Sequence, residues 1–237
     1  MESKIIQIGA EAVILKKGKI IIKRRVPKSY RLSELDGKIR KLRTKSESKL
    51  LEKASKIIPV PKILKVNEIK KEIILEFING KKISKHLDEF NLEKQKEICK
   101  SIGISIAKLH DENIIHGDLT TSNIIYVGEK LADKRNREKS LTINLSSGWE
   151  GGNKRASASQ NFKVFFIDFG LGFISRKIED KAVDLHLLKE ALEAKHFKNW
   201  KVLFNSVISG YKFSKNSGKI LAQLEKVEQR GRYKEKY

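Results

Sequence analysis

Of 237 residues only one is cysteine and three are proline, and no apolar run approaches the ~20 residues that a membrane-spanning helix needs. The lone Cys99 excludes an internal disulfide and any multi-cysteine metal site, and it falls in a helix-like stretch where a small side chain suits a core. Met1-Glu2-Ser3-Lys4 leads straight into strand-like sequence with no apolar leader, so a cytoplasmic chain with no membrane partner is expected. Acid is scarce as well: 29 Asp and Glu stand against 51 Lys and Arg, a formal net charge of +22 with pI ≈ 9.9. That excess lies beyond what solubility requires and points to a polyanionic partner such as nucleic acid, with a solvated lysine-rich surface as the plain alternative. The length allows one large domain or two small lobes sharing a cleft.

What the chain does contain is a spacing. In His116-Gly117-Asp118-Leu119-Thr120-Thr121-Ser122-Asn123 an Asn follows an Asp by five residues, and Asp168-Phe169-Gly170 comes later. Phosphoryl transfer needs these parts, one carboxylate to orient a nucleophile and two oxygen ligands for magnesium. Mg²⁺ takes hard oxygen ligands, one or two from protein and the rest from phosphates and water, which suits Asn123 and Asp168. Asp118 is then available to accept a hydrogen bond from an incoming hydroxyl or water. Either tripeptide alone reads equally well as a polar turn. Both occur in the required order, each beside an apolar strand-like run (123–127 and 164–167), and together they indicate a kinase-type ATP site. The His116 ring is expected to fix the loop by hydrogen bonding rather than to act as acid or base.

Three strands are expected at 5–8, 12–15 and 20–23. Gly9-Ala10-Glu11-Ala12, in the first turn, lies where a phosphate-covering loop belongs, but with one glycine it reads as readily as a simple hairpin. Lys23 closes the third strand, the position from which a kinase lysine reaches the α/β-phosphates. The helix-like stretch 31–56 contains Glu47, one of only four acids among residues 16–56 against sixteen Lys and Arg. Glu47 is therefore expected to pair with Lys23, a surface i,i+4 pair with Arg43 being the other reading. Pro59-Val60-Pro61 ends this helix, and strands at 63–66 and 72–78 follow before Asn79-Gly80 breaks the pattern. Glu76 to Ile78 is the candidate hinge that would hold adenine through its backbone; an ordinary buried strand end is the alternative.

Ile98, Ile102, Ile106 and Leu109 form one face of a long helix starting at Leu92. Residues 129–161 are polar, basic and rich in Ser, Gly and Asn, as in an insertion between two strands; Trp149 and its basic neighbours as an RNA-contacting arm is the sharper reading, a spacer the plainer one. About ten residues lead from the Asp-Phe-Gly region to a helix bearing Val183, Leu187, Leu188, Ala191 and Leu192, too few for a long regulatory segment. Asp184 on that buried face needs backbone donors, which the His116 loop can supply. The basic tail, about 226–237, is either a frayed end or an anion contact through Arg230, Arg232 and Lys234.

These pieces together resemble the small atypical serine/threonine kinase subunit of the archaeal and eukaryotic KEOPS complex, which serves tRNA threonylcarbamoyladenosine (t6A) synthesis. The similarity runs through Gly9 to Ala12, Lys23 to Arg31, Leu35-Asp36, Arg43 to Glu47, His116 to Asn123, Ile167 to Gly172, Asp180 to Leu185 and the Arg230-Gly231-Arg232 tail. The Lys-x-Tyr-Arg and Gly-Asp-Leu-Thr-Thr-Ser-Asn pieces are highly specific to that family. The resemblance implies an α+β, minimal two-lobed protein-kinase-like fold, with a β-rich N-lobe (1–79) and a helical C-lobe (80–237). It implies Lys23 on the phosphates of ATP, Glu47 holding Lys23, Asp118 as catalytic Asp, and Asn123 and Asp168 on Mg²⁺. It also implies residence beside the threonylcarbamoyl-transferase subunit and a small accessory subunit, an activity closer to an ATPase than to a regulated protein kinase, and a tail near bound tRNA.

Two departures stand out. Thr120 occupies the place, two residues after the catalytic Asp, where most protein kinases carry Lys; the family shares that loss, which implies weak phosphorylation of free protein substrates. The 33 residues between Gly128 and Phe162 exceed the usual strand connection. A small-molecule phosphotransferase of the antibiotic-kinase type, which also uses a His-Gly-Asp loop, and a non-catalytic tRNA-binding scaffold are the competing functions.

Overall fold

The computed structural model describes residues 3–128 and 162–232, the side chains of 231 and 232 excepted. In the N-terminal half, β1 (Lys4–Ile8), β2 (Ala12–Lys17), β3 (Ile20–Arg25), α1 (Ser33–Ser55), β4 (Ile63–Asn67) and β5 (Glu72–Glu76) follow in sequence. The strands make one antiparallel sheet in the order β1-β2-β3-β5-β4. Helix α1 opens with Glu34 and Asp36 and closes with Lys53, charges that suit the helix dipole. Its apolar contribution is confined to Leu50, Leu51 and Ala54, while Asp36, Thr44, Glu47 and Ser48 are also buried. A helix with so polar a buried face needs specific partners, and the cleft supplies them.

The C-terminal half continues with β6 (Lys81–Lys82), α2 (Ile83–His86), α3 (Leu92–Asp111), β7 (Ile114–Ile115), β8 (Ile124–Gly128), β9 (Phe162–Phe166) and β10 (Phe173–Ile174). Helices α4 (Ile178–Lys195), α5 (Trp200–Tyr211) and α6 (Ser217–Arg232) complete it. The strands form a β6-β8-β9 sheet and a β10-β7 pair. Helix α3 is capped by the Asn91 side chain, which accepts from Lys94 N at 2.9 Å. Ile98, Ile102, Ile106 and Leu109, the face expected from the spacing, are fully buried. Helices α3 and α5 approach backbone to backbone. A Cβ on Gly103 would lie 2.0 Å from Val207 O, and one on Gly210 2.1 Å from Lys100 O.

The β-rich first lobe and helical second lobe are the architecture expected. A backbone hydrogen bond from Phe166 N to Pro59 O (3.0 Å) joins them behind the cleft. Gly128 pairs with Phe162, so residues 129–161 connect neighbouring antiparallel strands; the expected insertion, with Trp149, lies outside the described residues. In the basic tail, residues 226–232 are the end of α6 rather than a frayed end, because Ile220 and Leu224 bury that helix and Lys189–Glu228 (2.6 Å) and Arg230–Glu179 (2.5 Å) tie it to α4; residues 233–237 lie outside the described residues. Among the described residues no helix is long and apolar enough to cross a membrane.

Candidate active site

Alternate residues of a strand share a face, so β3 turns Lys23 and Arg25 the same way, toward α1. Lys23 Nζ donates to Glu47 Oε1 at 2.6 Å and to Asp168 Oδ1 at 2.5 Å. Arg25 Nη2 donates to the second oxygen, Glu47 Oε2, at 2.6 Å. Burial alone would lower the Lys23 pKa, but the charges and hydrogen bonds of Glu47 and Asp168 outweigh it and hold the ammonium above its ordinary 10.5. Burial likewise pushes Asp168 up, and Lys23 more than reverses it, leaving the carboxyl below its ordinary 3.8. Asp168 therefore stays ionised. Its backbone is left-handed (φ 63°), an uncommon conformation for Asp, and Gly170 N caps Oδ1 at 3.1 Å.

The Asp118 loop is held from beneath. Asp184 of α4 accepts from His116 N (2.7 Å) and Gly117 N (2.9 Å), and His110 Nε2 lies 3.3 Å from the same carboxylate. His110 Nδ1 in turn meets the Tyr211 hydroxyl at 2.8 Å, which ties the loop to α5. The expected donors to Asp184 are thus present. His116 Nε2 donates to Ile167 O (3.1 Å) and Nδ1 accepts from Asp118 N (3.4 Å), so both ring nitrogens are engaged, as a positioning residue requires. Gly117 turns with φ 76°, and a Cβ there would sit 2.3 Å from Leu171 O, so no other residue fits without displacing that chain.

Asn123 Nδ2 donates to Asp118 O and to Asp118 Oδ2, each at 2.9 Å. With its nitrogen so used, the Asn123 amide oxygen is the atom left for a cation. Ile167 N donates to Asn123 O at 2.9 Å, which places Asn123 beside Asp168 across the β8–β9 end. Two hard oxygen donors next to a lysine fit a magnesium–phosphate group. Among the described residues no group of three or more His, Cys, Asp or Glu is placed to hold a metal, so a cation at Asn123 and Asp168 would need phosphate and water oxygens to complete its shell. Half-buried Lys82, opposite Ile125 in the β6–β8 register, is pushed below the ordinary lysine range by burial and by Lys85, and partly restored by Asp168.

The remaining expected residues are placed less directly. Gly9 to Ala12 forms a turn closed by Gly9 N to Ala12 O at 2.9 Å; Glu11 pairs with Arg43 at 2.5 Å, and Lys28 donates to Ala10 O. Arg43 thus chooses Glu11, not Glu47. The Glu76 side chain accepts from Lys62 N at 2.9 Å and its backbone N donates to Lys62 O at 3.0 Å, so a hinge role would fall to the Glu76 carbonyl and the Ile78 backbone. Arg230 is spent on Glu179, far along the chain from the cleft residues; the Arg232 side chain and Lys234 lie outside the described residues. Arg25 is the site residue that the sequence reading missed. Its signal was present: a second cation two positions from Lys23 on one strand face, with a single buried acid available to both.

The family description "RIO domain" matches residues 17–132, which include Lys23, Glu47, Asp118 and Asn123. The chain is 35 % identical to the KEOPS complex subunit Bud32 of Pyrococcus abyssi, over 92 % of this chain and 86 % of that protein. It is 31 % identical to a probable serine/threonine-protein kinase, the BUD32 homolog of Archaeoglobus fulgidus, over 98 % and 97 % of the two chains. The chain belongs to the Bud32 family. It is accordingly an atypical kinase, a phosphotransferase by family. A probable bifunctional tRNA threonylcarbamoyladenosine biosynthesis protein of Methanobrevibacter smithii is 35 % identical over 98 % of this chain, which spans only 37 % of that longer protein. The Rio2 kinase of Chaetomium thermophilum, solved as an ADP/Mg²⁺-phosphoaspartate complex, shares the fold: TM-score 0.53 and 15 % identity over 97 % of this chain and 71 % of that one.

Proposed function

We propose that this Bud32-family chain is the ATP-dependent atypical serine/threonine kinase and ATPase subunit of a cytoplasmic KEOPS-type complex that supports t6A modification of tRNA. The observation that carries the chemistry is the position of Lys23 between Glu47 and Asp168, with Asn123 joined to the residue before Asp168 by a backbone hydrogen bond. Lys23 would hold the α/β-phosphates, and Glu47, gripped by Lys23 and Arg25, would hold Lys23. Asn123 and Asp168 would hold Mg²⁺. The bound nucleotide supplies the phosphoryl group and the metal offsets charge on its oxygens. Asp118, oriented by Asn123, would accept the hydrogen bond and then the proton of the attacking water or hydroxyl as its oxygen bonds to phosphorus and the bond to ADP breaks. Adenine would lie against the 76–78 backbone, and the Gly9–Ala12 turn would close over the phosphates.

Partnership with the threonylcarbamoyl-transferase subunit is supported by the relative named as a KEOPS subunit and by the longer t6A biosynthesis protein that contains a homologous stretch. The test is ATP hydrolysis by the purified chain, alone and with that partner and tRNA, using Asp118→Ala as the blank. Stimulation by partner and tRNA that is lost in the mutant is expected. Partner-independent phosphate transfer to an added small molecule would replace this reading with the phosphotransferase one.

A further inference from the structure

Helix α1 has a second face. At 3.6 residues per turn, Lys38, Lys41, Lys45, Lys49, Lys53 and Lys56 fall within a sector of about 120°, and Glu47 points the opposite way. All six lysines are exposed. With 1.5 Å of rise per residue they make a row about 27 Å long in steps of about 4.5–6 Å. Only Lys41 meets an acid, Glu68 at 3.7 Å in open solvent, and the other five form no ion pair among the described residues. Glu52 is the one acid inside the sector between Lys38 and Lys56.

Neutralising acids are few because the lobe uses most of its acids internally. Glu11 is taken by Arg43, Asp36 by Arg40, Glu72 by Arg24, and Glu47 by Lys23 and Arg25. Like charges at i,i+4 destabilise a helix, so a row of this length is unfavourable until an anion lies along it.

We infer that the outer face of α1 binds the phosphate backbone of duplex RNA, a tRNA stem in the reading proposed above, on which this inference rests. A linear row of evenly stepped cations fits a linear polyanion whose charges repeat every few ångströms. No aromatic residue lies on the sector, which argues against base stacking and hence against single-stranded RNA as the ligand. Leu42 is the only large apolar residue among the lysines, too little to insert into a bilayer. The inner face of the same helix positions Lys23, so RNA on the outer face acts on the element that sets nucleotide turnover.

The test compares two fourfold neutralisations of the full chain, K41Q/K45Q/K49Q/K53Q on the row and K195Q/K198Q/K212Q/K219Q on exposed C-lobe positions, which lower net charge equally. Affinity for an unmodified tRNA transcript is measured against salt concentration. The row variant is expected to lose at least about tenfold in affinity and about 3 units of slope in log Kd against log salt, with basal ATP turnover unchanged; the control should change less than about threefold. Equal losses in both variants would show a bulk-charge effect and overturn the site, as would parental affinity in the row variant. Loss of binding to phosphatidylserine vesicles with RNA binding intact would overturn it in favour of a membrane surface. If Asp118→Ala hydrolyses ATP like the parent while the row variant loses RNA, the kinase reading fails and the RNA surface stands.

Discussion

Removing Arg25 gives the sharpest check on how the cleft is held. Glu47 is 4 % exposed and receives one hydrogen bond from each cation, both at 2.6 Å. Lys23 is shared with Asp168, so Arg25 is the only cation that Glu47 has to itself. Arg25→Met keeps an unbranched apolar stem and deletes the guanidinium. Two cations and two carboxylates that sum to zero become a cluster of net charge −1. Breaking a buried ion pair costs about 3–5 kcal/mol when the partner is left alone, whereas one hydrogen bond to a charged group contributes about 1.5–3 kcal/mol. Glu47 keeps Lys23, so the smaller figure governs, about 2 kcal/mol. For a chain of this length that is a fall in Tm of roughly 4–8 °C. Two carboxylates then compete for one ammonium, and phosphates must draw Lys23 from a more negative site, so KM for ATP should rise at least about fivefold with a smaller change in kcat. Arg25→Lys should recover part of both effects. A melting temperature within about 1 °C of the parent together with an unchanged KM in Arg25→Met would refute the idea that Arg25 holds Glu47 and, through it, Lys23.

Magnesium should bind with nucleotide and hardly without it, since the protein offers two oxygen ligands; calorimetry should show Mg²⁺ uptake only when ATP or ADP is present, and Asp168→Ala should abolish Mg-dependent turnover while the fold melts cooperatively. The pH dependence follows from Lys23 and Asp168. Asp168 has a lowered pKa, so its contribution to stability is complete above 3.8 and disappears as pH falls through the folded value; Lys23 has a raised one, so its contribution is complete below 10.5 and disappears as pH rises through the folded value. Melting of Asp168→Asn should therefore differ from the parent by a constant amount at neutral pH and converge with it only well below pH 3.8. Gly103→Ala places a methyl group 2.0 Å from Val207 O and should cost about 1–3 kcal/mol by forcing α3 and α5 apart, read as a lower Tm.

The site was legible where residue type and spacing are dictated by chemistry. Asp118, Asn123 and Asp168 stood out as candidates because magnesium and a proton acceptor admit few side chains, and α3 was read from three isoleucines and a leucine that repeat on one face. Scarcity implied that Glu47 has a cationic partner, since an acid among sixteen basic residues must find one of them, and Lys23, proposed for it beside a surface pair, is one that it finds. Scarcity could not say which others it would find. Arg43 was the other candidate and Arg25 was not considered; only the docking of α1 against β3 assigns Arg25 to Glu47 and Arg43 to Glu11. The surroundings of the tail were less legible for a related reason: Glu179, the acid that Arg230 meets, is 51 residues away in sequence. The polar buried face of α1 has weak apolar periodicity, so the partners of that helix are visible only in three dimensions.

These internal pairings bear on control. Seven residues, 171–177, separate Gly170 from α4, and within them β10 is pinned to β7. The segment that follows the metal-binding Asp in a switchable kinase has no slack here, and Asp184 fixes the Asp118 loop from the other side. Helix α1 is latched twice, through Glu47 to Arg25 and Lys23 and through Arg43 to Glu11. Because the inner face of α1 holds Glu47 against Lys23, an RNA partner on the lysine-lined outer face, as inferred above, would bear on the element that positions Lys23.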